Sequence, residues 1–372
     1  MDRKELAALI ALRHIPGIGS ITAKRLVEGV GNAVSVFEHR TDLPSIQPHA
    51  QQTLVAALDC PAAHRFAEKE LEFIDKHHIT CVGLHDENYP SRLRECDDAP
   101  ILLYYKGNTT LNPRKAISIV GTRKCTDYGR DLCERFIRDL AEQFPDVLIV
   151  SGLAYGIDVH AHRAAIKYGL PTVGVLAHGL DRIYPSVHRN VAAQMVRSGG
   201  LLTEYSSFTE PIRQNFLQRN RIVAGITDAT IIIESAVKGG ALVTANIANS
   251  YGRDCFTFPG RIDDVASAGC HRLIRNNQAA LITSAADFIE SMMWSAPQDD
   301  KPKAIQRTLF LDLSEEENHI IELLRQHADG MHINTLVVEA DIPINRLSAI
   351  LFEMEMKGIV RPLVGNNYKL IL

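Results

Sequence analysis

Hydrophobic and polar positions change rhythm twice along this chain. Up to about residue 75 the apolar positions recur at helical spacing. Leu6, Leu9, Ile10 and Arg13 stand three and four apart and make a stripe with Arg13 at its end. The tight connection His14-Ile15-Pro16-Gly17-Ile18-Gly19 follows, and Ser20 is placed to cap a helix carrying Ile21, Ala23, Leu26 and Val27. Two further helical stretches are predicted, Gln51 to Leu58 and Ala62 to His77. From Ile79 short apolar runs alternate with helical patterns. Strands are predicted at 116–120, 147–150, 172–176, 200–203, 229–234, 255–258 and 280–283, with an added edge strand at 101–105. Helices are predicted between most of them, at 129–143, 159–168, 189–197 and 242–250. Continuously apolar strands alternating with helices imply a mostly parallel sheet covered on both faces.

The rhythm changes again after Ser295. Residues 295–312 contain Pro297, Gln298, Asp299, Asp300, Lys301 and Pro302, a linker composition. Ser314-Glu315-Glu316-Glu317 has the pattern of a capping box opening a helix with Ile320, Ile321 and Leu324 on one face. A short helix near 333–340, a third from Asn345 to Lys357 ended by Gly358, and a β-hairpin through Gly365-Asn366-Asn367 complete the pattern of a winged helix. The expected organisation is thus a helical SAM/helix-hairpin-helix-like domain (1–78), a Rossmann-like α/β domain (79–294), a linker (295–313) and a winged helix (314–372).

Composition narrows the classes. No run of eighteen uncharged apolar residues occurs, and the N-terminus lacks the apolar core and small-residue cleavage site of a signal peptide. The 7 cysteines are odd in number and form no CxxC pair, which argues against a disulfide framework and a zinc site. These features together predict a cytoplasmic protein without a metal or cofactor. The net charge of −4 argues by itself against a nucleic-acid binder. Its distribution argues otherwise: residues 114–225 carry 15 Lys/Arg and 10 Asp/Glu, a balance of +5, whereas 314–372 carry 5 and 9, a balance of −4. A local basic field steers anions even on an acidic chain.

Candidate chemistry sits at strand ends. Val120-Gly121-Thr122-Arg123 follows a strand and precedes a helix, where open α/β sheets bind ligands. Gly121 allows close backbone approach, the next helix offers unpaired N–H groups, and Arg123 is either a phosphate fork or a solvated loop residue. Ser151-Gly152-Leu153-Ala154-Tyr155-Gly156 repeats that logic, with Ser151 as a donor and the amides around Gly152 and Gly156 as a nest. It is not a dinucleotide fingerprint. Asp158 and His162 stand four apart and are expected to pair. Arg213-Gln214-Asn215-Phe216-Leu217-Gln218-Arg219-Asn220-Arg221 holds three arginines and an aromatic. Either Phe216 stacks on a base while the arginines neutralise phosphates, or Phe216 is core and the arginines pair with acids such as Glu204 and Glu210. Lys238-Gly239-Gly240 adds a third glycine-and-cation strand end, and the coincidence implies a phosphate-lined crevice.

Taken together these strings resemble the DNA-processing protein A (DprA/Smf) family over about residues 79–292. The matching run is Tyr89-Pro90-Ser91-Arg92-Leu93, 100–107, Ile119 to Arg123, Ser151 to Asp158, Ala161-His162, Tyr184-Pro185, Asn215-Phe216, Arg219-Asn220-Arg221-Ile222, Leu242 to Ala245 and Phe258-Pro259-Gly260. The resemblance implies a non-enzymatic, single-stranded-DNA-binding Rossmann-like domain that dimerises and helps load the RecA recombinase in natural transformation. It also implies phosphate contacts by Gly121, Thr122, Arg123 and Arg213, and base stacking by Phe216. Lys238-Gly239-Gly240 departs from the Ser-Gly-Ser of many relatives, and Thr203 from the Ser of some. The rival is a nucleotide-processing enzyme of the lysine-decarboxylase-like phosphoribohydrolase type. That family requires Pro-Gly-Gly-x-Gly-Thr with a glutamate on the next helix. Here no glutamate follows Gly240 until well past Tyr251.

Overall fold

A computed structural model describes residues 1–43, 52–295, 313–325, 327, 330–357, 359–363 and 366–371. The chain forms two compact units, Met1–Pro297 and Gln298–Leu372, and nearly all of the expected linker lies outside the described residues.

Unit one opens with helices α1 (Arg3–His14), α2 (Ser20–Val30), α3 (Ala33–Glu38), α4 (Gln52–Leu58) and α5 (Pro61–His77). Its sheet comprises β1 (Thr80–Gly83), β2 (Leu102–Gly107), β3 (Ala116–Gly121), β4 (Leu148–Ser151), β5 (Thr172–Val175), β6 (Gly200–Thr203), β7 (Ala229–Ile233), β8 (Asp254–Thr257) and β9 (Ala280–Leu281). The strand order is β1-β2-β6-β5-β4-β3-β7-β8-β9. Pairing is parallel from β6 to β9 across that order, while β1–β2 and β2–β6 are antiparallel. Two expectations need correction. Thr80–Gly83 is a strand that the hydrophobic pattern did not mark. The strand expected at the edge, β2, is instead covered on its far side by β1, and its Leu102 to Tyr105 are all buried in the core that the N-terminal helices share.

The helices between strands follow from period-two burial on both faces. Ile117, Ile119, Ile149, Ile231 and Ile233 point into one core, against Phe136, Phe256 and Phe288. Ala116, Val120, Leu148, Val150 and Ile232 point into the other. The first core is covered by α7 (Asp127–Gln143) and α8 (Ile157–Lys167), which pack together. The second is covered by α10 (Arg213–Gly225) and α11 (Gly240–Ser250), and it continues into the N-terminal helices through Ile10, Leu12, Leu26 and Leu71. The remaining helices are α6 (Ser91–Arg94), α9 (Arg189–Ser198), α12 (Ala268–Arg275) and α13 (Ala285–Ser291).

Unit two holds α14 (Glu315–Arg325), β10 (Met331–His332), α15 (Ile333–Ala340), α16 (Ile344–Met356), β11 (Val360–Leu363) and β12 (Asn367–Leu370), with sheet order β10-β12-β11. The capping box forms as its sequence demands: Ser314 N–H donates to the Glu317 carboxylate at 2.8 Å, and Glu317 N–H donates to Ser314 Oγ at 3.2 Å. Ile320, Leu324, Leu336, Leu347, Leu351 and Met354 fill a core of its own. Part of the turn, Val364 and Gly365, lies outside the described residues.

Candidate nucleic-acid interface

Strand order locates the site. The chain runs from β3 through β4 and β5 to β6 on one side, then returns to place β7 on the other side of β3. In an open α/β sheet the crevice beyond the C-terminal strand ends at such a reversal is the ligand site. Here the loops after β3, β4 and β7 and the cleft-facing side of α10 line a crevice of about 690 Å³. It receives Gly121, Thr122, Arg123, Gly152, Arg213, Phe216, Arg219, Asn220, Lys238, Gly239 and Gly240. Tyr184 also lines it. Tyr184 sits in an irregular loop with no periodicity to read, so the residue pattern alone gave no reason to place it there.

Three of the expected residues do not line the crevice. The Ser151 hydroxyl is buried and donates to the Ile119 carbonyl at 2.6 Å. Gly156 packs under the Thr122 carbonyl, where a Cβ would collide, at a φ of 75°. Arg221 points elsewhere because successive helix positions turn by about 100°. Arg213, Phe216, Leu217 and Asn220 fall on one face of α10, while Arg221 swings off it. Its guanidinium donates to Glu204 Oε2 at 2.6 Å, to Ser20 Oγ at 3.1 Å and to the Asp98 carbonyl. Glu204 Oε2 also accepts from Arg13 Nη2 at 3.0 Å. For Arg221 the pairing alternative therefore describes the structure.

Arg219 lines the floor but is only 3% exposed. It donates to the Val175 carbonyl and lies against Gly152, where a Cβ would meet the guanidinium. Asp158 lies beside it and accepts the Gly152 N–H at 3.2 Å. Burial raises the Asp158 carboxyl above its usual range, against the lowering pull of Arg219. The expected Asp158–His162 pair does not form. His162 Nδ1 instead lies 2.7 Å from Thr172 Oγ1.

The helix following β3 is not an open anion site. Thr126 caps α7 by accepting from Gly129 N–H at 3.1 Å, and the Glu234 carboxylate accepts the Thr126 N–H at 2.9 Å and its hydroxyl. α11 differs: its N-cap, Gly239, has no side chain to bond the first amides, and Gly240 is exposed. Arg123, Arg213 and Lys238 are exposed and form no ion pair among the described residues. Phe216 is half-buried, with the Arg123 guanidinium 5.4 Å from its ring centroid and Tyr184 5.8 Å away. The N-terminal hairpin is different in kind. Lys24 Nζ donates to the Cys96 carbonyl at 2.7 Å and Ser20 faces Glu204, so these groups bind the fold itself.

Comparison with known proteins agrees with this architecture. The family profile for DNA recombination-mediator protein A matches residues 80–293, and that for the DprA winged helix domain matches 306–366. The DNA processing protein DprA of Streptococcus pneumoniae is 39% identical over 230 residues, covering 60% of this chain and 80% of the relative. An X-ray structure of the Streptococcus pneumoniae DprA superposes with a TM-score of 0.58 at 31% identity, covering 73% of this chain and 98% of that one. DNA processing protein A from Helicobacter pylori, described as having a unique single-stranded DNA binding mode, gives 0.52 at 30% identity, covering 58% and 95%. With a switch-point crevice, a winged helix and these matches together, the chain belongs to the DprA/Smf family of DNA recombination-mediator proteins.

Proposed function

We propose that the crevice binds single-stranded DNA through phosphates, with little sequence preference and without chemistry on the strand. One observation carries this reading: three exposed cations without an ion pair among the described residues line one crevice at the sheet's switch point together with a half-buried aromatic. Arg123, Arg213 and Lys238 take phosphates together with the amide of the exposed Gly240, whereas the Gly239 N–H is spent on the Ala236 carbonyl at 2.9 Å. Gly121 and Thr122 line the wall beside Arg123, Asn220 donates or accepts next to them, and Phe216 stacks on a base. Gly152 and Arg219 form the floor. The Helicobacter pylori relative's single-stranded DNA binding supports the same assignment here. The wider role we propose is the one the family resemblance implies: a cytoplasmic homodimer, joined through the Rossmann-like domain, that protects incoming strands and helps load RecA in transformation or related recombination.

Three phosphate contacts give a log–log salt slope of roughly −2 for a single strand. Arg213→Ala should cost all sequences alike about 1–3 kcal/mol and make the slope shallower. Titration of labelled oligonucleotides across salt checks both. A flat salt response, or preference for duplex, would sink the reading.

The winged helix is proposed as a protein-docking module. Arg346 of α16 and Lys357 at its C-cap are already paired with α14, Arg346 with Glu316 at 2.8 Å and Lys357 with Glu317 at 2.6 Å. A recognition helix needs free donors for bases and phosphates. Residues 310–372, which carry their own core, should therefore fail to bind duplex or single strands at moderate salt in a gel-shift assay. Micromolar, salt-sensitive duplex binding would make it a second nucleic-acid site.

A further inference from the structure

We infer that Arg123 and Phe216 act as an exchange pair, in which a phosphate draws Arg123 off the Phe216 ring and a base takes its place. The inference rests on the single-strand reading above and adds an order to it. Arg123 is exposed and has no carboxylate partner among the described residues, yet its guanidinium is parked over an aromatic ring, 5.4 Å from the centroid. That ring is half-buried, and Tyr184 flanks it at a tilt of 57° with centroids 5.8 Å apart. Little of the ring is left for a flat base while the guanidinium stays.

The strengths of the competing contacts set the direction. A cation–π contact at an exposed site contributes roughly two- to fivefold in an equilibrium. Stacking of one base on an aromatic contributes roughly five- to a hundredfold. A phosphate competes for the same guanidinium with charge-assisted hydrogen bonds. A ligand carrying both a phosphate and a base therefore gains both contacts for the loss of one. A ligand with phosphates alone gains only the ion pair and leaves the ring bare. Parking also keeps Phe216 and Arg123 ordered in the unbound protein, so less side-chain freedom is lost on binding.

The exchange predicts opposite signs for one substitution on two ligands. The full-length protein and Phe216→Ala are titrated with an oligothymidylate and with an abasic phosphodiester strand of equal length. On oligothymidylate, Phe216→Ala should bind roughly five- to a hundredfold more weakly. On the abasic strand it should bind roughly two- to fivefold more tightly, because Arg123 no longer has to leave a ring. Phe216→Leu keeps the bulk without the π face and should show the same pattern, which separates the exchange from a loosened loop. Weakening or no change on the abasic strand, in both variants, overturns the exchange. Failure of the unsubstituted protein to bind oligothymidylate at all would instead remove the single-strand reading on which it rests.

Discussion

Replacing Arg221 by Met should destabilise unit one by about 3–5 kcal/mol, the cost of stripping one partner from a buried ion pair. Glu204 is 4% exposed and its Oε2 collects Arg13, Arg221 and Ser20, while Oε1 has no hydrogen-bond partner among the described residues. Without Arg221 the carboxylate keeps only Arg13, whose side chain is partly exposed and whose hold is correspondingly weaker. Arg13 and Ser20 come from the N-terminal helices, Glu204 from the end of β6 and Arg221 from α10. The cluster therefore ties the N-terminal helices to the helix that carries Arg213 and Phe216. Chemical denaturation monitored by circular dichroism reads the loss directly. A change within about 0.5 kcal/mol, the range of an ordinary surface substitution, would show that Arg13 alone suffices. Deleting residues 1–75 should mimic the substitution in part, since it removes Arg13 and Ser20 together.

Acid should destabilise this protein early, with His162 as a main cause. The Thr172 hydroxyl donates to the Ile149 carbonyl at 2.9 Å, so its oxygen must accept from His162 Nδ1–H at 2.7 Å. Nε2 is then a bare acceptor, buried without a partner among the described residues. Protonating it would place a charge in the core beside the positive Arg219, and burial lowers the imidazole to about 3. A folded-state value below the unfolded one, near 6.5, means the contribution is intact above pH 6.5 and is lost as pH falls toward 3. The slope is about 1.4 kcal/mol per pH unit, so about 2–3 kcal/mol goes between pH 6.5 and 4.5. Burial lowers His178 as well, which steepens the fall. The check is denaturant midpoints across that range for the natural protein and His162→Gln, with a visibly shallower fall in the variant. Parallel curves would show that His162 does not carry the effect.

Much of this molecule was legible in one dimension because local rules dictated it. The period-two burial of Ile117, Ile119, Ile231 and Ile233, the Ser314–Glu317 box and the glycines at strand ends are decided by residues within a few positions of one another. The same locality let the candidate site be read as three strand ends, and the sheet brought most of the chosen residues to one crevice. What failed were choices that depend on distant chain. Arg221 is as basic as Arg213, but the turn of α10 aims it away from the crevice at Glu204. Ser151 found a carbonyl across the sheet, and Glu234 filled the α7 terminus that was expected to be open. His162 and Asp158 have the right helical spacing to meet, yet Thr172 and the Gly152 amide, fixed by strands, offered better partners. β2 lost its edge position to β1. Sequence by itself determined which residues could form helices, strands and an anion-friendly loop, because those depend on covalent neighbours. Only the tertiary structure decided which charged groups are left free, because a buried cation takes a partner from whatever segment the fold packs beside it, and only the unspent ones remain to meet an anion.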